Sequence, residues 1–386
     1  MIKDGNYKMV ATTMLGLEGV LEEELTKLGA QYIHKLNRAV EFVGDLGFMY
    51  KANLNLRTAI RILKPIFEFK ARNEKELYRK IYDYNWEQHF GVDDTFAINS
   101  SGYSEIFNHS KYTALKTKDA IADSFRDKHG NRPNVDVETP NVQINVHVSE
   151  HKFIISLDSS GYSLHKRGYK VASVDAPINE VLAAGLIMLS DWNKISNFHD
   201  PMCGSGTILV EAAMIANNIP ANIFRKRFGF EGWKNFDIDL WEKIRDISLE
   251  KEQEYHGMIS GADNFQKSLR ACRENINNAL MRDDIKVNMK DFFDTPVPPN
   301  TCIIFNPPYG ERMPIGINEF YQKIGDTLKH NYKGCSVWLI SSDIENLKMI
   351  GLKPSRKIKI FNGKLECRFL NFEIYEGSKK QSKQDL

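Results

Sequence analysis

At 386 residues the chain is longer than one ordinary core organises, so two or three domains are expected. Charged residues at 26% and hydrophobic ones at 42% exclude a disordered chain and match a folded globular protein. A net charge of +2 excludes a uniformly basic nucleic-acid binder, although one-sided basic patches survive a near-neutral sum.

No apolar run reaches the roughly 20 residues a membrane span needs. The opening Met-Ile-Lys-Asp-Gly-Asn-Tyr-Lys does not read as a signal peptide. Five scattered cysteines (203, 272, 302, 335, 367) show neither C-x-x-C spacing nor histidine partners. The expectation is reduced, mostly buried thiols in a cytoplasmic protein, with no metal and no membrane attachment.

Along the chain, residues 7–60 read as strand, helix, strand, helix. Lys8–Thr13 is the first strand, Gly19–Leu28 has helical spacing closed by Gly29, Ala39–Val43 alternates like a strand, and Phe48–Leu54 restarts a helix. This ferredoxin-like unit, residues 1–59, carries no visible chemistry and reads as a support. A second α/β unit over 60–160 alternates strands (60–69, 95–100, 142–149, 152–158) with helices (74–82, 111–128). Basic clusters lie at Arg57, Arg61 and Lys64, at Lys111, Lys116 and Lys118, at Arg126 to Arg132, and at Lys166 to Lys170. Each is either a polyanion-facing patch or a solvated helix face. Residues 161–177, rich in Ser, Gly and Lys, read as a linker, and a helix at 179–192 opens the third unit, residues 178–377. The polar residues 378–386 read as a disordered tail.

The third unit holds the chemistry. A strand near 195–199 runs into Asp200-Pro201-Met202-Cys203-Gly204-Ser205-Gly206-Thr207 and then an apolar, alanine-rich helix. Glycines at 204 and 206 let backbone approach a ligand, although a lone G-x-G also serves packing. A dinucleotide fold wants a third glycine where Leu209 stands, and the P-loop lysine is absent, so phosphate binding drops in rank. Asp200 before the glycines suits a ligand with an amino-acid end, such as S-adenosylmethionine. Cys203 reads as a small packing residue.

Residues 259–263 read as a strand ending in Asp263, where a ribose acceptor sits, with Asn264 following. Residues 286–291 end in Asp291, placed for an adenine amine, with Phe292 and Phe293 beside it. Each acid alone is equally an N-cap or a solvated strand end. Between Asp200 and Asp263 the interval is several times the roughly 20 residues of a Rossmann-type unit. A basic, aromatic insertion at 217–257 (Arg225, Lys226, Arg227, Phe228, Phe230, Trp233, Lys234) fills it, as a packed cover or as a substrate contact.

Directly after the apolar run 301–305 comes Asn306-Pro307-Pro308-Tyr309. The Asn306 side-chain oxygen and the Pro307 carbonyl are placed to accept both hydrogens of a planar exocyclic amine, the prolines stiffen the loop, and Tyr309 offers a stacking face. Alone, the same residues make an ordinary turn. Finally, two alternating runs at 357–361 and 364–375, joined by Asn362-Gly363, form the strongest short hairpin signal. An antiparallel hairpin closing a parallel sheet separates a methyltransferase sheet from a nicotinamide-binding one.

Together these residues resemble the class I S-adenosylmethionine-dependent amino-methyltransferases. More narrowly they are similar to the THUMP-domain RNA guanine-N2 methyltransferases, often labelled N6-adenine-specific DNA methylases. The likeness covers nearly the whole chain. It rests on His165-Lys166-Arg167-Gly168-Tyr169, Ala176-Pro177-Ile178-Asn179-Glu180, the 200–207 loop, Phe228-Gly229-Phe230-Glu231-Gly232-Trp233, and Asn306-Pro307-Pro308-Tyr309-Gly310-Glu311-Arg312. The resemblance is to the single-catalytic-domain form of the large-subunit ribosomal RNA enzyme, and it accounts for the insertion. It implies an α/β, Rossmann-like sheet, parallel with a C-terminal antiparallel hairpin, behind a ferredoxin-like unit and a THUMP RNA-binding domain at 60–160.

It implies S-adenosylmethionine held by Asp200, Pro201, Cys203, Gly204, Ser205, Gly206, Thr207, Asp263, Asn264, Asp291, Phe292 and Asn306. Catalysis would fall to Asn306, Pro307, Pro308 and Tyr309. The implied partner is RNA, 23S rRNA foremost and tRNA as an alternative; oligomeric state is left open. Two other readings stay open: an adenine-N6 nucleic-acid methyltransferase, since the same tetrapeptide serves adenine amines, and a non-catalytic RNA-binding assembly factor with a vestigial pocket. A nicotinamide oxidoreductase is the weakest, given Leu209 and the hairpin.

Overall fold

A computed structural model describes residues 4–105, 107, 109–174, 177–308 and 316–375. The chain divides into two units: Met1–Thr13, Leu21–Leu164 and Arg225–Ile247 form the first, and Met14–Val20, His165–Phe224 and Ser248–Leu386 the second.

In the first unit β1 (Tyr7–Thr12), β2 (Gln31–Leu36), β3 (Ala39–Gly44), β4 (Arg61–Lys70), β5 (Thr95–Tyr103), β6 (Asn134–Val135), β7 (Val142–Ser149) and β8 (Lys152–Asp158) form one sheet, ordered β2-β3-β1-β4-β8-β7-β5-β6. The ferredoxin-like and following α/β segments therefore share a sheet, joined where Val10–Thr12 pairs antiparallel with Arg61–Leu63. Alternate residues of the strands point inward, and Met9, Ala11, Phe42, Ile62, Phe96, Ile144 and Phe153 belong to one apolar cluster. Pro65 sits inside β4 at a bulge between Pro65 and Phe67, where a missing N–H does least harm. The unit's helices are α1 (Glu18–Leu28), ended by Gly29 at φ 97, α2 (Leu46–Asn55), α3 (Glu74–Tyr82) and α4 (Ser110–His129).

The insertion joins this unit's core. Phe228, Phe230 and Trp233 are buried in the same apolar cluster. Phe230 lies 4.4 Å from the Tyr50 ring and 5.2 Å from that of Trp241, which stands on α7 (Ile238–Leu249). Arg225 is buried too and donates to the carbonyls of Ser160, Tyr162 and Ser163, each at 3.0 Å. A Cβ on Gly229 would stand 2.4 Å from the Asp158 carbonyl oxygen, so close backbone approach demands glycine there. Of the two readings of this segment, packing as core describes its aromatic residues.

In the second unit β9 (Asn197–Asp200), β10 (Ile259–Asp263), β11 (Ile285–Met289), β12 (Thr301–Phe305), β13 (Cys335–Ser341), β14 (Arg356–Asn362) and β15 (Leu365–Ile374) are ordered β11-β10-β9-β12-β13-β15-β14. The first five run parallel, and β15 runs antiparallel to both β13 and β14. Gly363 turns the hairpin at φ 63. This is the sheet the resemblance implies. Helices α5 (Glu180–Leu189), α6 (Thr207–Ala216), α8 (Gln266–Asn278) and α9 (Ile317–Asn331) complete the unit.

Helix α6 is apolar almost all round and buried, with Glu211 as the charged exception. A buried carboxylate needs partners. Arg167 donates to it at 3.3 Å and the Tyr169 hydroxyl at 3.0 Å, while Arg167 also reaches Asn222 at 3.1 Å. Arg167 and Tyr169 come from the stretch expected as a linker, yet both are fully buried. Several cations of the basic clusters are likewise held locally: Arg61 by Asp158, Arg126 by Asp123, Lys118 by Asp119, Lys128 by Glu87, and Lys170 by Glu180.

Candidate functional site

In an open α/β sheet ligands bind beyond the carboxyl ends of the strands, where the strand order reverses. Here that point lies between β9 and β12. Asp200 ends β9, Asp263 ends β10, Asp291 stands two residues past β11, and Asn306 directly follows β12. The register aligns Gly261 with Asp200, Asp263 with Met289, and His199 with Ile303. All four residues therefore stand at the carboxyl end of the sheet.

The turn after β9 is built from its glycines. Asp200 Oδ1 accepts the Met202 N–H at 3.1 Å, and the Gly206 N–H donates to the Cys203 carbonyl at 2.7 Å. Gly204 and Gly206 lie at φ 55 and φ 79, in the left-handed region. A Cβ on Gly206 would stand 2.6 Å from Cys272 Sγ, whereas one on Gly204 would meet only Val174, at 3.6 Å. Gly206 is thus fixed by packing and by backbone conformation, and Gly204 by backbone conformation alone.

Pro201, Cys203, Ser205 and Thr207 are buried. Cys203 Sγ lies 4.0 Å from Cys272 Sγ. That neighbouring thiol, together with burial, pushes the Cys203 thiol well above its usual range, so it is a packing residue rather than a thiolate. The Thr207 hydroxyl, at the start of α6, is buried with no hydrogen-bond partner among the described residues.

The acids divide their oxygens between backbone and open acceptor capacity. Asp263 accepts the Gly204 N–H on Oδ2 and the Phe265 N–H on Oδ1, both at 2.9 Å. Asp291 accepts the Phe293 N–H at 2.9 Å and the Asn264 amide at 3.2 Å. Asn264 therefore bridges the ends of β10 and β11. Burial, with a contribution from the nearby Asp263 charge, raises the Asp200 carboxyl well above the ordinary range.

Phe292 sits differently from its expected place against an adenine. It is buried in the core, 5.3 Å from the rings of both Phe305 and Tyr332. Its neighbour Phe293 is only partly buried, and Phe265, next to the bridging Asn264, is 64% exposed. Sequence reasoning passed over Phe265, although an aromatic two residues past a strand-end acid was a usable signal. Pro307 is buried, Asn306 and Pro308 half-buried, at the end of a strand buried throughout. Tyr309, and Arg312 beyond it, lie outside the described residues.

A ligand carrying an ammonium, a ribose diol and a purine amine fits this donor and acceptor set: strand-end carboxylates, a glycine turn, and an orphaned hydroxyl. Among the described residues no three His, Cys, Asp or Glu side chains group to hold a metal ion, and the five cysteines are free and buried. No helix of the described residues is long and apolar enough to cross a membrane.

Sheet order, glycine turn and strand-end acids define a Rossmann-like, S-adenosylmethionine-dependent methyltransferase. The chain belongs to the family described as the RMKL-like methyltransferase domain, which matches residues 167–371. A THUMP domain matches residues 71–158, and an RlmL ferredoxin-like domain residues 8–63. The chain is 36% identical over 369 residues to "Putative RNA methyltransferase slr0064" of a Synechocystis strain, covering 95% of this chain and 96% of that protein. It is 33% identical over 388 residues to the ribosomal RNA large subunit methyltransferase K/L of Syntrophotalea carbinolica, covering 97% of this chain. It spans only 54% of that relative's length. Among solved structures, SMU.472 complexed with SAH is 29% identical with a TM-score of 0.86, covering 97% of this chain and 100% of that one. A possible methylase from Clostridium difficile 630 is 30% identical with the same TM-score and the same coverage.

Proposed function

We propose that the protein methylates the exocyclic N2 amine of a guanine in RNA, with 23S rRNA as its substrate. The observation that supports this reading is that Asn306-Pro307 directly follows β12, whose neighbour β9 ends in Asp200 and runs into the glycine turn, with Asp263 ending β10 beside it. The matched THUMP domain and the names of the K/L relatives support RNA as the substrate class.

S-adenosylmethionine, when bound, would supply an electrophilic methyl group and leave as its neutral thioether, and the methylated amine would lose its proton to water. Asp200 and the turn at 203–207 hold its amino-acid end, Asp263 its ribose, and Asp291 with Asn264 its adenine. An exocyclic amine is a poor nucleophile because its lone pair is delocalised into the ring. Asn306 Oδ1 and the Pro307 carbonyl accept its two hydrogens and turn the lone pair out of the ring plane. The prolines keep both acceptors aimed, so the rate comes from positioning and fixed dipoles rather than from a strong base. The target base must leave any helix to enter the site.

The test is nucleoside mass spectrometry of ribosomal and transfer RNA from strains with and without the protein. The reading expects loss of one N2-methylguanosine from 23S rRNA. Loss of N6-methyladenosine instead would refute the guanine assignment, loss from tRNA alone the ribosomal one, and no change in either RNA the enzymatic reading.

A further inference from the structure

Helix α8 carries a buried amide that none of the motifs predicts. Asn275 is 1% exposed, and all four of its hydrogen-bonding valences are used. Its Oδ1 accepts the N–H groups of Val171 and Ala172 at 2.9 and 3.0 Å. Its Nδ2 donates to the Ala172 carbonyl at 2.8 Å and to the Ser205 carbonyl at 2.9 Å. Two N–H groups at one end and two carbonyls at the other leave no ambiguity in the amide's orientation.

Ser205 is the residue between the two left-handed glycines of the turn. Segment 168–172 is held to the same helix one turn later, where Asn278 donates to the carbonyls of Tyr169 (2.9 Å) and Gly168 (3.2 Å). Beyond it the Val174 side chain would stand 3.6 Å from a Cβ on Gly204. One amide thus joins three pieces of chain distant in sequence: the 171–172 stretch, helix α8, and the glycine turn.

The geometry points to Asn275 as a positioning residue for the cofactor turn: it fixes the Ser205 carbonyl and, through it, the aim of the Gly204–Gly206 backbone, and it couples segment 171–174 to that turn. This rests on the reading of the turn as the S-adenosylmethionine site. Asn275 does not touch the ligand. Aspartate at this position keeps both acceptors but loses both donors and sets a carboxylate against two carbonyls, and alanine loses everything.

The experiment measures binding of S-adenosylhomocysteine by calorimetry and methyl-transfer kinetics for the full chain. Asn275→Ala and Asn275→Asp are expected to raise the Kd and the KM for the cofactor about tenfold or more, with kcat at saturation changed less than about threefold. The control is Asn217→Ala, which removes another buried amide of the same unit, bonded to Tyr255 and Asp284. It should lower thermal stability and leave cofactor affinity unchanged. Normal affinity in both Asn275 variants, or an equal loss in the control, overturns the assignment.

A second measurement needs no variant. Hydrogen exchange of the wild-type chain should show that the ligand protects the Val171 and Ala172 amides along with those at 204–206. Protection of the turn alone breaks the proposed coupling. A wild-type chain that fails to bind the ligand sinks the cofactor reading itself, which is a different result.

Discussion

The Asp263 carboxylate lies 2.9 Å from the Gly204 amide nitrogen, so the end of β10 holds the turn that follows β9. A charge-assisted bond of this kind fixes backbone that glycine alone would leave free. The same carboxylate keeps acceptor capacity for a ribose diol, because each oxygen has a second lone pair.

Asp263→Ala should therefore act on cofactor affinity first. The expected loss is about 10- to 100-fold in the Kd for S-adenosylhomocysteine, the worth of one or two hydrogen bonds to a charged group. Calorimetry decides; an unchanged Kd removes Asp263 from the site.

Asn306→Ala should do the opposite. It deletes a fixed acceptor that matters most as the amine turns out of conjugation, so turnover should fall by about 10²-fold or more with little change in cofactor affinity. Single-turnover kinetics at saturating cofactor separate the two effects. Loss of cofactor binding with turnover kept would contradict the role given to Asn306.

Much of this arrangement is readable in the sequence, for definite reasons. Period-two and helical patterns located β1, β3, α1 to α4 and the terminal hairpin because each has one buried face. β2 went unread: nearly all its residues face solvent, Tyr32 lies at φ 48, and its register slips between Gln31 and His34, so no alternation exists to see. The strand-end positions of Asp200, Asp263 and Asn306 are legible because strand ends are marked by the apolar runs before them. Asn275 was not, since its four partners come from segments far apart in sequence. Arg167 misled through composition, because a basic residue among Ser, Gly and Lys looks solvated until Glu211 in an apolar helix supplies its partner.

The pH dependence of cofactor binding follows from Asp200. Burial raises its carboxyl well above the usual range, so the ligand-free protein keeps a proton there at a pH where an exposed aspartate has lost it. Docking of a cationic ammonium favours the carboxylate and expels that proton. Affinity should thus fall as pH drops through the raised pKa, by at most about tenfold per pH unit, and level off above it. Asp200→Asn should flatten the profile. Titration calorimetry in buffers of different ionisation enthalpy counts the proton released; zero release would refute the account.

Phe230→Ala tests the insertion as core. The ring is fully buried among Tyr50, Phe236 and Trp241, and its loss should cost about 3–5 kcal/mol in urea unfolding of the first unit. A loss below about 1 kcal/mol would show that the segment is not integral to that core.

The Arg167–Glu211 pair gives a prediction that separates pairing from mere polarity. Both side chains are fully buried, so Glu211→Ala removes the carboxylate that compensates a buried guanidinium and should destabilise the second unit by about 3–5 kcal/mol. Replacing both with leucine removes both charges together and fills the space with apolar atoms, though it also removes one bond each from the Tyr169 hydroxyl and the Asn222 side chain. The double variant should therefore be more stable than Glu211→Ala alone. Urea denaturation of wild type, Glu211→Ala and Arg167→Leu/Glu211→Leu ranks them. A double variant less stable than the single one would mean that the wider network, rather than charge compensation, holds α6 in place.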